Sequence, residues 1–226
     1  MRQSIDFAAG VKGRYEDVVI LGIGGSALGP IALKTALCKS GWNELTRDDR
    51  SGYPRMHVLD NIDPVTIAAV LDRLTLERTL FVVTSKSGGT AETMSQFLIA
   101  HERVSNAGLK VSNHFVFVTD PQTGALRPLA KELGVHALDI PPGVGGRYSV
   151  LTPVGTLPGA LLGIDVAELL AGAGEMLDRC ESTELDLNPA GIIGSLLYMS
   201  DVRHGRVVDV LMPYADPLRD FAAWFV

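Results

Sequence analysis

The sequence carries few of the features that would send it out of the cytoplasm or into a membrane. Its first residues, MRQSIDFAAG, contain no apolar centre of the roughly 7 to 15 residues that marks a secretory leader. Cys38 and Cys180 are too few for a disulfide framework, so the reducing cytoplasm is the expected compartment. The longest apolar stretches, such as Val150 to Ile164, are broken by Gly and Pro and fall short of the ~20 residues that cross a bilayer, so no membrane span is expected. A basic surplus is missing too. With 20 Lys+Arg against 26 Asp+Glu the formal charge is −6, which argues against a nucleic-acid partner. His57, His101, His114, His136 and His204 show no paired ligand spacing, so no metal site is expected, and neither a GxSxG elbow nor a Cys/His pair in motif context occurs.

What is present is core-forming material. Hydrophobic residues make up 46% against 20% charged, enough for a buried core and too little charge for a disordered chain. Short apolar runs alternate with longer amphipathic stretches, and each run ends in Gly, Ser, Thr or Asp, the pattern of an α/β chain with a parallel sheet. The expected strands are Val18 to Ile23, Met56 to Leu59, Thr79 to Thr84, Phe115 to Thr119 and Val135 to Ile140. Helices are expected near Ala27 to Lys39, Pro64 to Leu74, Ala91 to Asn106 and Gly124 to Glu132. Val166, Leu169, Leu170, Ala173 and Leu177 lay one stripe along a further helix that Asp165 would cap. Another runs from Asn188, with Pro189 in its first turn, to His204, where Gly205 ends it. Val207 to Met212 reads as a sixth strand and Pro217 to Val226 as a helix, together the opening βα unit of a second lobe whose remainder lies outside this sequence.

Three segments carry chemistry. The first expected strand runs into GGSALGP, which places Gly24, Gly25 and Ser26 at a strand's carboxyl end and a helix's amino end, where free N–H groups favour an anion. A tight turn without ligand would look the same, and the glycines at 22, 24 and 25 do not follow the GxGxxG order of a dinucleotide loop. The third strand ends in TSKSGGTAET. Its five hydroxyls, with Lys86, exceed what a helix cap requires and suit a phosphate monoester, although Thr90 and Thr93 alone would fit a capping role. The spacing is not GxxxxGK[ST], which disfavours a nucleoside triphosphatase. Arg147 is the single charged residue between Asp139 and Asp165, and its apolar surroundings argue against a solvated surface charge. It reads either as a guanidinium tying loop carbonyls or as an oxyanion stabiliser. Glu92 would serve as a base or, better, as an anion in a first helical turn.

Taken together, GIGGSALGP, TSKSGGTAET, GGRYSVLTPVG and DPLRDFAAWFV resemble the glucose-6-phosphate isomerase (phosphoglucose isomerase) family, in family order across residues 18 to 226, and GGRYS with LTPVGTLPGALLGID is the most specific of these blocks. The resemblance implies a sugar-isomerase (SIS) domain, a three-layer sandwich with a five-stranded parallel sheet flanked by helices. It would occupy residues 17–185, after an N-terminal arm (1–16) and before a linker helix and the truncated second lobe (186–226). It implies an aldose–ketose isomerase of glycolysis and gluconeogenesis that works through a cis-enediolate, needs no cofactor and acts as a homodimer when full length. Gly25 and Ser26 match the family's first-loop sugar-phosphate contacts, Ser85, Lys86, Ser87 and Thr90 its phosphate loop, and Arg147 the arginine that stabilises the enediolate. The glutamate base, and the histidine and lysine that aid ring opening, would follow Val226. A non-catalytic sugar-phosphate-binding module, or an isomerase of another phosphorylated sugar, are the alternatives. GGRYS favours the isomerase, since a sensor has no need of the arginine.

Overall fold

The computed structural model describes residues 2–226. Five strands, β1 (Asp17–Leu21), β2 (Arg55–Leu59), β3 (Thr79–Ser85), β4 (Phe115–Thr119) and β5 (His136–Asp139), form one parallel sheet in the order β2-β1-β3-β4-β5. The sequences DVVIL, TLFVVTS and FVFVT are β-branched and aromatic, and every residue of these three central strands is buried, as a sheet covered on both faces demands. The edge strands β2 and β5 admit Arg55, His57, His136 and Asp139, which sit at least partly exposed.

Alternation along the strands divides the core in two. Val18, Ile20, Leu80, Val82, Val116 and Val118 face one cluster, which is completed by Ala8 of helix α1 (Arg2–Gly10) and by Val154, Leu157 and Leu161 of α6 (Pro153–Leu161). Val19, Leu21, Phe81, Val83, Phe115 and Phe117 face the other, against α3 (Pro64–Leu71), α4 (Ala91–Asn106) and α5 (Leu126–Leu133). Each fully buried aliphatic or aromatic side chain contributes roughly 1.5–3 kcal/mol, so these two faces account for the three-layer packing. α2 (Gly25–Leu37) follows β1 and packs on α6. The Ser4 hydroxyl of α1 meets that of Thr156 in α6 at 2.8 Å, with both residues buried. α6 holds two prolines and two glycines, yet all but one of its residues are buried, so tertiary packing overrides weak helix propensity there.

Beyond the sheet, α7 (Val166–Cys180) begins at Asp165, whose carboxylate accepts the N–H groups of Ala167 and Glu168. α8 (Pro189–His204) ends at Gly205 in the left-handed region (φ 61°). The expected strand Val207 to Met212 does not form: residues 205–214 have no regular secondary structure, and Val207, Val208 and Val210 are largely exposed. A strand needs a neighbour to take its N–H and C=O groups, and none lies beside this segment among the described residues. The helix expected at Pro217 to Val226 is α9 (Arg219–Phe225), preceded by one 3₁₀ turn (Asp216–Leu218) and laid on α2, where the Thr35 hydroxyl donates to Asp220. Among the described residues no helix is long and apolar enough to cross a membrane.

Candidate functional site

The strand order reverses at β1 and β3, whose following chains leave toward opposite faces of the sheet. In an open parallel sheet this opens a crevice at the strands' carboxyl ends. A cleft of about 400 Å³ lies there, lined by Ile23, Gly25, Ser26, Ser85, Lys86, Ser87, Thr90, Thr93, Asp120, Thr123 and Gly146. Four separate segments thus meet at one place: the loops after β1, β3, β4 and β5. A second cavity, of about 280 Å³, lies between α1, Tyr53 and the α6–α7 turn and holds no hydroxyl cluster.

In the β3 loop, three hydroxyls converge. Ser85 Oγ lies 2.9 Å from Thr90 Oγ1 and 3.4 Å from Ser87 Oγ, and Ser87 Oγ lies 3.3 Å from Thr90 Oγ1. The N–H groups of Gly88 and Gly89 donate to Ser85 and Ser87 at 3.1 and 3.4 Å, which curls the loop around the cluster. Thr90 stands at the N-cap position of α4, yet its hydroxyl makes no capping hydrogen bond. Elsewhere this chain does cap its helices: Asp63, Thr152, Asp165 and Asn188 accept first-turn N–H groups of α3, α6, α7 and α8. α2, α4 and α5, which begin at the cleft, have no such side-chain cap. No side chain of the chain itself therefore occupies their positive dipole ends, which is where an anion would sit.

Close backbone approach holds the loops together. A methyl group on Gly124 would lie 2.1 Å from the Ser87 carbonyl oxygen, and one on Gly25 would lie 2.3 Å from that of Gly146 and 3.0 Å from the Arg147 nitrogen. The first contact presses the β4–α5 loop on the β3–α4 loop; the second presses the Arg147 loop on the β1–α2 turn. Backbone N–H groups of Gln122 and Thr123 donate to Asp120 at 2.8 and 2.9 Å and hold its carboxyl below the ordinary range, so it stays an acceptor at the cleft wall.

The structure brings Gly25, Ser26, Ser85, Lys86, Ser87 and Thr90 into this one cleft. The Lys86 ammonium is turned from the hydroxyls and donates to the carbonyls of Pro142 and Val144 at 2.8 and 2.6 Å. Arg147 differs from expectation: it is exposed, and its guanidinium has no hydrogen bond or ion pair among the described residues. It sits on a 3₁₀ turn (Gly146–Leu151) that buries Ser149 and turns Arg147 and Tyr148 outward, so apolar neighbours in sequence do not enclose it. Its backbone nevertheless adjoins the cleft through Gly146 and Gly25. Glu92 occupies the first turn of α4 outside the lining. The histidines serve elsewhere: His57 pairs with Asp17, His114 with the Thr79 carbonyl, and His136 stacks on Phe7.

Four lining positions were not singled out from sequence as ligands: Ile23, Asp120, Thr123 and Gly146. The signal for Asp120 was available, because it follows β4 as Ser85 ends β3, and carboxyl ends of parallel strands point to one side. Thr93, one of the five hydroxyls of TSKSGGTAET in the sequence, is fully buried in the cleft wall with no partner for its hydroxyl among the described residues.

A profile of the family described as Phosphoglucose isomerase matches residues 3–226. A glucose-6-phosphate isomerase of Carboxydothermus hydrogenoformans is 49% identical over 95% of this chain and 46% of its own length. One of Rubrobacter xylanophilus is 42% identical over 93% and 48%. Among solved structures, a hypothetical protein of Thermus thermophilus superposes with a TM-score of 0.88 at 36% identity, covering 100% of this chain and 50% of that one. A glucose-6-phosphate isomerase of Chlamydia trachomatis gives 0.84 at 28% identity, over 99% and 41%. The chain spans about half the length of the curated relatives it matches.

Proposed function

The chain belongs to the phosphoglucose isomerase family, and we propose that it forms one half of an aldose–ketose isomerase that interconverts glucose 6-phosphate and fructose 6-phosphate through a cis-enediolate. The observation that carries this reading is the hydroxyl triad of Ser85, Ser87 and Thr90 at the uncapped start of α4. Three donors that rotate freely, with N–H groups behind them, match the three terminal oxygens of a phosphate monoester. Ser26 and the Gly25 turn close the other side, and Lys86 adds positive potential from the loop between them.

With the phosphate held there, the sugar extends toward the Arg147 loop. Proton transfer between C2 and C1 places negative charge on an enediolate oxygen, and a permanently charged, forked guanidinium that reaches it from the exposed turn lowers that barrier. By resemblance, the general base belongs to the remaining length that the relatives possess. The homodimer and the cytoplasmic location belong to the same reading.

The test is a titration of this chain with glucose 6-phosphate and inorganic phosphate, followed by amide NMR. Each charge-assisted hydrogen bond removed, by Ser87→Ala or Thr90→Val, should weaken binding roughly ten- to hundredfold. Tight binding that ignores both substitutions would place the phosphate elsewhere.

A further inference from the structure

Lys86 is the single charged residue of TSKSGGT, and its ammonium does not face the hydroxyl triad. It reaches across to the carbonyls of Pro142 and Val144, in the segment that joins β5 to the turn bearing Arg147. The 3₁₀ turn packs on α2 and α6, but the other hydrogen bonds of residues 141–149 are local. Val144 N–H donates to the Pro141 carbonyl, Tyr148 N–H to the Gly145 carbonyl and the Ser149 hydroxyl to the Gly146 carbonyl, all within the loop. Among the described residues, the Lys86 contacts are the hydrogen bonds that join residues 141–149 to a part of the chain distant in sequence. An ammonium has three donors, and two are engaged here.

We propose that Lys86 is a positioning residue: it fastens the Arg147 loop to the phosphate loop, and so sets where the guanidinium stands relative to a bound sugar phosphate. The role given to Arg147 rests on the function proposed above, whereas the fastening is a property of this chain alone. The Gly25–Gly146 contact stops the loop from moving inward, and Lys86 stops it from moving out.

Two measurements decide it. The first is hydrogen exchange on this chain without ligand. Lys86→Met should speed exchange at Val144 and Tyr148 roughly tenfold or more while β3 and β4 amides hold, and Lys86→Arg, which keeps a donor at that reach, should restore protection. Unchanged exchange at the loop in Lys86→Met would overturn the proposal. The second is kinetics in an enzyme that pairs this chain with the remaining length of its relatives. Lys86→Met should lower kcat roughly ten- to hundredfold, as misplacement by an ångström does, with KM shifting less than about threefold. It should add little in an Arg147→Ala background, where there is no guanidinium left to misplace. A rise in KM alone would make Lys86 a phosphate ligand and overturn the proposal. An enzyme inert toward glucose 6-phosphate, with the exchange result as expected, would sink the proposed function and leave the fastening intact.

Discussion

Gly25→Ala is a single perturbation aimed at the contact between the β1–α2 turn and the Arg147 loop. The new methyl carbon would lie 2.3 Å from the Gly146 carbonyl oxygen and 2.5 Å from its carbon. Van der Waals contact begins near ~3.5 Å, so the overlap is roughly 1.2 Å. Both opposing atoms are backbone and cannot rotate aside. Either the overlap stays, at about 1–3 kcal/mol of overpacking, or the Arg147 loop shifts by about an ångström, which in a positioned site costs on the order of 10² in rate. For a chain of 226 residues, that range of overpacking lowers the melting temperature by roughly 2–12 °C. Gly143→Ala serves as control: it lies in the same loop, and an added methyl group meets nothing within 4 Å. Melting would be followed by circular dichroism and glucose 6-phosphate binding by calorimetry. The control should behave as wild type, while Gly25→Ala loses stability, affinity or both. A Gly25→Ala protein as stable as the control and binding as tightly would refute the close approach of the two loops, and with it the placement of Arg147.

Further outcomes follow from other parts of the structure. In an enzyme that pairs this chain with the remaining length of its relatives, Arg147→Ala should lower kcat by roughly 10²–10³ with little change in KM, as the proposed function requires; a change confined to KM would make it a binding residue. Burial would raise the Asp17 carboxyl, but hydrogen bonds from His57 and Arg55, at 2.8 and 2.7–2.8 Å, together with their charge, overcome this and hold it below its ordinary range. A depressed folded value gives stability that is complete above the unfolded value and lost as pH falls through the folded one. Asp17→Asn should therefore cost about 2–3 kcal/mol near neutrality, and its deficit against wild type should shrink as pH drops below about 4. A deficit constant down to pH 2 would show that Asp17 is not held as described.

The central strands were legible because a sheet buried on both faces requires continuous apolar runs, and Phe115 to Thr119 and the helix from Ala91 to Asn106 fall where periodicity puts them. Boundaries drifted where apolar character outlasts hydrogen bonding: Gly22 and Ile23 continue the first run but lie past β1. α6 escaped notice because its two prolines and two glycines read as breakers, while its stability comes from being enclosed. The residues of α1 read as an arm in sequence, since only tertiary contact from Ser4 and Ala8 to α6 and the sheet shows what the helix covers. In the site, composition pointed to the hydroxyl loop. It could not show that Thr90 leaves α4 uncapped, that Lys86 turns away, or that Arg147 is exposed, because each depends on residues distant in the chain or on how a loop turns. Val207 to Met212 has the composition of a strand, but composition supplies no neighbour.

The cleft draws on positions from Ile23 to Gly146, so its full lining exists only once β1, β3, β4 and β5 have aligned. Recognition and folding are therefore thermodynamically linked, since a ligand that meets only the native arrangement withdraws population from every disordered one. At a hundred times its dissociation constant, such a ligand adds about 2.7 kcal/mol to the unfolding free energy. For a chain of this length that raises the melting temperature by roughly 5–11 °C. A ligand bound there is in this sense a structural component supplied from solution, and its concentration sets the share of molecules in which the loops stand assembled.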